Sequence, residues 1–212
     1  MVVDEPMYAY YLNHTGLKHP GGDQVLATLP IDIDIALSHY FFQAIDTEYL
    51  FIKGMAHHYE GLQDLSFLNR LNNVFLIRNP KQLIASFAQV ISEPTIRDIG
   101  LKHEYELFKH LLDQGQEPIV IDSGELLKNP PAMIKKLCHC IDIPFDTAML
   151  QWDKGPKPYD GVWAPHWYHN VWDSTCFAPQ KTSTRSFPSH LGQLLDEAQE
   201  YYQLLIDKSI TI

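Results

Sequence analysis

With 212 residues, a mass of 24.4 kDa and 45% hydrophobic residues, the chain has enough apolar side chain to bury a core, and one domain over 1–212 is the expectation. Its 16 Lys and Arg against 26 Asp and Glu give a formal net charge of −10. That excludes a general affinity for nucleic acid or an anionic membrane, which need a net basic surface, so any anion site has to be local.

No apolar run reaches the roughly 20 residues that cross a bilayer, and "MVVDEPMYAYYL" lacks the basic start and cleavage pattern of a secretory signal. The chain therefore reads as cytoplasmic. Cys138, Cys140 and Cys176 show no disulfide framework, in keeping with a reducing compartment.

In chain order, Val2 and Val3 before "DEP" look like the end of a strand. "YLFIKG" (49–54), "VFLI" (74–77) and "PIVID" (118–122) are short aromatic or β-branched runs that suit strands. Between and after them, "PKQLIASFAQVI" (80–91) and "LKHEYELFKHLLDQG" (101–115) repeat apolar residues at three and four, as helices do. Prolines introduce another helix at 130–141, and a last one is expected over 188–207. The alternation predicts parallel βαβ units and an α/β fold with helices flanking a parallel sheet. Residues 151–187 differ in composition, holding all four tryptophans with several Gly and Pro and no sustained period. So many aromatics in so long a loop predict a folded flap.

Arg78 falls where the apolar run "VFLI" stops, followed by Asn79 as an N-cap and Pro80 at the first helical position. The positive helix end would favour an anion beside Arg78, and the Ser86 hydroxyl lies two turns further in. A structural salt bridge for Arg78 and simple packing for Ser86 are the plain alternatives.

The segment "FLIRNPKQLIASF" resembles the 3′-phosphate-binding segment of the sulfotransferases that use 3′-phosphoadenosine-5′-phosphosulfate, and the resemblance implies Arg78 and Ser86 as ligands of that phosphate. With "VVDEPMYAYYL", "KGMAHH", "EPTIRDIG", "DGVWAPHWYHNVW" and "STCFAP", it extends over nearly the whole chain to a sulfotransferase-like group of the P-loop superfamily, some of whose members carry aminotransferase-like names. It implies transfer of a sulfuryl group to a hydroxyl or amine of a small-molecule acceptor, with no metal. A non-catalytic nucleotide- or anion-binding protein is the alternative from another class, and a metal-dependent hydrolase a third.

The group's opening strand and phosphate loop, of the type Pro-Arg-Ser-x-Ser-Thr before "DEP", have no counterpart in the sequence. No G-x-x-x-x-G-K-[ST] occurs, and "HPGGDQ" (19–24) follows no convincing strand. In P-loop folds that strand lies mid-sheet, so its absence leaves two strands with unsatisfied edges. A late start or fragment, a degenerate copy and a rearranged sheet are the explanations. The first is expected, and enzymatic activity depends on it.

Sulfuryl transfer needs a base for the acceptor proton and a cation for the charge growing on the bridging oxygen. Lys53 and His57, in "IKGMAHH", are the catalytic candidates by resemblance to the lysine and histidine that sulfotransferases hold at a strand end. The spacing departs from lysine–x–histidine, so either His57 or His58 faces the site. Asp4 and Glu5 sit at the same edge and orient an acceptor, act as a base, or cap the helix after Pro6. From the flap, Trp163, His166 and Trp167 are read with Glu5 as acceptor-binding residues, against core packing. The histidines of "HWYH" (166–169) and the cysteines of "CHC" (138–140) do not add up to a metal site, since no third ligand is spaced for it.

Overall fold

Among the described residues, four short strands form at the apolar runs, and each is followed by helix. A computed structural model describes residues 1–178 and 187–212, so the part of the 151–187 flap from 179 to 186 lies outside the described residues. In chain order the main elements are β1 (Val2–Asp4), α1 (Tyr8–Thr15), α2 (Gly22–Thr28), β2 (Phe51–Lys53), β3 (Val74–Ile77) and α3 (Pro80–Phe87). They continue with α4 (Leu101–Asp113), β4 (Ile119–Asp122), α5 (Ser123–Lys128), α6 (Pro130–Cys140), α7 (Ala164–Trp167), α8 (His169–Trp172) and α9 (Gly192–Ile206). All four expected strands form, and so do the expected helices, the last after a single 3₁₀ turn at Ser189–Leu191. The fold is α/β, with parallel strands flanked by helices.

The strands pair in twos. β1 lies parallel to β2 with Val2 opposite Phe51, Val3 opposite Ile52 and Asp4 opposite Lys53. β3 lies parallel to β4 with Val74 opposite Ile119 and Ile77 opposite Asp122. Each pair belongs to its own compact unit. The first comprises 1–62 and 153–175, the second 63–152 and 176–212. No helix among the described residues is long and apolar enough to cross a membrane.

In the first unit, α1 packs its buried face, Tyr8, Ala9, Tyr11 and Leu12, against Val25 of α2 and against Trp163. Trp163 is drawn in by the flap, whose residues 153–175 fold into this unit. At full burial, side chains of this size stabilise by about 1.5–3 kcal/mol each. Helix α1 stops at Gly16, whose φ of +69° is the left-handed cap that a glycine adopts without a Cβ penalty.

In the second unit, one face of the β3–β4 pair, carrying Ile77 and Val120, packs on Ile84, Leu101, Phe108, Ala198 and Leu205 from α3, α4 and α9. The other face of β4 places Ile121 against Leu126 of α5 and Met133 of α6. The free edge of β4 is covered by the C-terminal segment, where the Ile210 N–H donates to the Val120 carbonyl at 2.9 Å. β3 has no second partner strand among the described residues, and Val74 and Leu76 on its outer face are exposed.

Candidate functional site

The carboxyl end of the β1–β2 pair gathers the charged groups of the first unit. The parallel register sets Asp4 opposite Lys53, so their side chains share a face as cross-strand neighbours. Consecutive strand residues point to opposite faces, and a regular strand would turn Glu5 away. The chain leaves the strand at Glu5 instead, with φ +42°. Its N–H still donates to the Lys53 carbonyl at 2.8 Å while its carboxylate swings to the lysine. A left-handed conformation at a non-glycine residue costs about 1–2 kcal/mol, and such strain concentrates at functional sites.

Lys53 Nζ donates to Asp4 Oδ1 at 3.1 Å, to Glu5 Oε1, and to the Tyr168 hydroxyl at 2.7 Å. An ammonium has three protons, and these acceptors engage all of them. The two carboxylate side chains are buried, at 6% and 8% exposure, while Lys53 is 42% exposed, so the lysine is the member of the group that meets water. Burial raises the Glu5 carboxyl above its ordinary range. The Lys53 charge and hydrogen bond pull it partly back, and the Asp4 charge adds to the rise.

Tyr168 sits at the junction of α7 and α8, brought in by the flap. Besides its contact to Lys53, its hydroxyl lies 2.8 Å from Asp4 Oδ2 and 3.0 Å from Glu5 Oε1, and it accepts from Trp163 Nε1 at 3.2 Å. The Lys53 ammonium also lies 4.9 Å from the Tyr168 ring centre. Burial, and then the Glu5 charge, hold Tyr168 as a neutral phenol well above the usual tyrosine range.

Behind this group lies a shell of rings. His58 stacks on Tyr8 at 4.5 Å, and the Tyr8 hydroxyl is 2.8 Å from His19 Nδ1. His57 meets Tyr11 at 5.1 Å and His58 at 4.7 Å, both edge to face. Both histidines are buried, and burial pushes His58 well below the ordinary imidazole range, with His57, His19 and Lys53 acting in the same direction.

Of the residues singled out in the sequence, Lys53 and Glu5 are in direct contact and Trp163 reaches them through Tyr168. His57 lies in the ring shell. Trp167 packs on the same core, and His166 is exposed, its ring so close to Gly21 that a Cβ there would meet it at 2.9 Å. Arg78 and Ser86 belong to the second unit. Arg78 is half-buried at the end of β3, and burial alone lowers its guanidinium from the usual value. Asn79 caps α3 as expected, accepting from the Gln82 N–H at 3.4 Å, with Pro80 in the first turn. Ser86 is exposed on α3.

Tyr168 escapes a reading of the sequence. Its partner Lys53 is 115 residues away, and within "HWYHNVW" it is one aromatic among several. The one local signal is the concentration of Trp and Tyr that marks 151–187 as folded.

The sulfotransferase domain family model matches residues 1–208. Two Arabidopsis thaliana proteins, named branched-chain-amino-acid aminotransferase-like protein 1 and 2, are 33% identical over 204 residues and 31% identical over 205 residues. Each alignment covers 96% of this chain but 37% and 36% of the respective relative, so the chain spans little more than a third of their length. Among solved structures, a sulfotransferase domain from the curacin biosynthetic pathway aligns over 97% of this chain and 79% of its own, with a TM-score of 0.43 and 14% identity. By the family match over nearly its full length, the chain belongs to the sulfotransferase domain family.

Proposed function

We propose that the chain serves transfer of a sulfuryl group from 3′-phosphoadenosine-5′-phosphosulfate to a hydroxyl or amine of a small-molecule acceptor. The observation that carries the chemistry is the contact of Lys53 with Glu5. A buried carboxyl with a raised pKa touches a half-exposed ammonium at the end of a parallel strand, and a positive φ at Glu5 turns its carboxylate to that lysine. A carboxylate whose pKa is raised is a better proton acceptor than an ordinary one. Family membership supports the reaction class.

In this reading, Glu5 takes the proton of the acceptor O–H or N–H as the acceptor atom bonds to sulfur. The bond from sulfur to the oxygen of the 5′-phosphate breaks, and its electron pair leaves with adenosine 3′,5′-bisphosphate. Lys53 hydrogen-bonds that oxygen as charge grows on it, which requires it to release one of its three present partners. Asp4, at 3.1 Å, has other donors and is the one to release. His57, the base expected from the sequence, is the alternative proton acceptor. Arg78 and Ser86 hold the 3′-phosphate. A half-buried guanidinium whose charge is disfavoured by burial, one residue ahead of a helix cap, suits a phosphate, which offsets that cost.

The test is release of adenosine 3′,5′-bisphosphate from the labelled donor in the presence of alcohol and amine acceptors. Transfer that falls by two orders of magnitude or more in Glu5→Gln and Lys53→Met, and less in His57→Ala, is expected for these roles. Binding of the nucleotide without any turnover would instead make the chain a binding protein, and no binding would sink both.

A further inference from the structure

Two carboxylates beside one lysine pose a question of assignment, because Asp4 and Glu5 both reach Lys53 and only one of them can be the proton acceptor. The hydroxyl of Tyr168 resolves it by counting. A phenol has one proton and two lone pairs. Lys53 at 2.7 Å and Trp163 Nε1 at 3.2 Å are donors and fill both lone pairs. The single proton remains for a carboxylate. Asp4 presents both its oxygens, at 2.8 and 3.0 Å, whereas Glu5 presents Oε1 at 3.0 Å. Asp4 Oδ2 also accepts from the Gly161 N–H at 3.4 Å, so Asp4 is held from β2, from the flap backbone and from Tyr168.

We propose that Tyr168 is a positioning residue for the transfer: it gives its proton to Asp4, keeps that carboxylate occupied when Lys53 turns to the leaving oxygen, and so leaves Glu5 as the proton acceptor. This rests on the sulfuryl-transfer reading above. Trp163 is the second member of the device. Fully buried and edge-on to Tyr8 at 5.4 Å, it cannot swing away, and its N–H fixes the direction in which the phenol points. The phenol keeps its proton at any working pH, because burial and the neighbouring carboxylates hold it far above the usual tyrosine range.

The groups facing Glu5 are Asp4 from β1, Lys53 from β2, Tyr168 from the α7–α8 junction, and the phenols of Tyr8 and Tyr59, which burial keeps neutral. With its proton on Asp4, Tyr168 acts on Glu5 through Lys53, whose charge and hydrogen bond lower the Glu5 pKa. In Tyr168→Phe, Asp4 loses this donor and draws Lys53 to itself, which weakens the Lys53 contact to Glu5 and lets the Glu5 carboxyl rise.

The experiment compares the wild type with Tyr168→Phe in the pH–rate profile and in the carboxyl carbon-13 titration of Glu5. The variant is expected to lose about tenfold or more in kcat with acceptor KM within about twofold, and to shift both the acidic limb and the Glu5 midpoint to higher pH. Incorporating 3-fluorotyrosine at 168, a stronger donor that preserves the packing, moves both the other way and covers the case in which Tyr168→Phe fails to fold. Loss of activity with an unmoved limb and an unmoved Glu5 midpoint would reduce Tyr168 to a structural role and overturn the proposal. If the wild type transfers no sulfuryl group, the reaction reading fails by itself. The Glu5 midpoint still decides on Tyr168, and one that is equal in wild type and variant overturns its assignment.

Discussion

Replacing Lys53 by Met keeps most of the side chain's volume and removes its charge, leaving Asp4 and Glu5 buried on adjacent residues with no counter-ion. Breaking a fully buried pair costs about 3–5 kcal/mol. Lys53 is 42% exposed, so water already screens part of the interaction, and about 2 kcal/mol is the appropriate figure at pH 8. For a chain of this size that is a fall in Tm of roughly 4–8 °C. The cost depends on pH with a definite sign. The folded-state pKa of Glu5 lies above its unfolded value, so its contribution to stability is fully present below the unfolded pKa and is lost as pH rises through the folded one. Lys53 lowers that folded pKa, and Lys53→Met raises it further. As pH falls, Glu5 in the variant takes up its proton at a higher pH than in the wild type and the repulsion eases, so the Tm difference from wild type shrinks toward acid pH. Thermal unfolding of both proteins from pH 5 to pH 8 measures this, and Glu5→Gln in the Lys53→Met background recovers a large part of the loss at pH 8. A Tm difference that stays constant across that range refutes the reasoning, because it would mean that packing rather than charge holds the group together.

In the second unit, burial pushes the half-buried Glu104 carboxyl on α4 up to about 8. Its stabilising contribution is therefore lost as pH rises from about 4.5 through 8, and Glu104→Gln should raise stability at pH 8 by about 1–2 kcal/mol while changing it little at pH 5. Denaturant titrations at the two pH values check this, and an equal effect at both contradicts it. Asp122 caps α5 by accepting from the Glu125 N–H at 2.9 Å and accepts from the Tyr202 hydroxyl of α9 at 2.9 Å. Asp122→Ala, which removes both bonds, should cost about 2 kcal/mol, and Tyr202→Phe about 1 kcal/mol, as read from chemical unfolding midpoints.

The strands and helices were legible because each is short, apolar at the right period and punctuated. "VFLI" ends at Arg78, Asn79 and Pro80 mark the start of α3, and Pro130 opens α6. Pairing was not legible, since apolar runs of this length say nothing of which run lies beside which, and the four strands form two pairs. Lys53 and Glu5 could be placed at a strand end from their flanking residues. Their mutual contact depends on the parallel register and on the positive φ at Glu5, neither of which a residue pattern encodes. His57 illustrates the same limit. The motif "MAHH" gives two histidines, and only the 3₁₀ turn at Ala56–Tyr59 shows that both turn into the ring shell of Tyr8 and Tyr11. Tyr168 became visible only when the flap folded over the end of β1.

The most direct test of the account is the affinity of the protein for adenosine 3′,5′-bisphosphate, measured by calorimetry for wild type, Arg78→Ala and Ser86→Ala. The wild type should bind saturably, with an affinity that weakens by at least tenfold in Arg78→Ala, as expected for a lost charge-assisted phosphate contact, and by a smaller factor in Ser86→Ala. Equal affinity in wild type and Arg78→Ala, or no binding to the wild type, would contradict it.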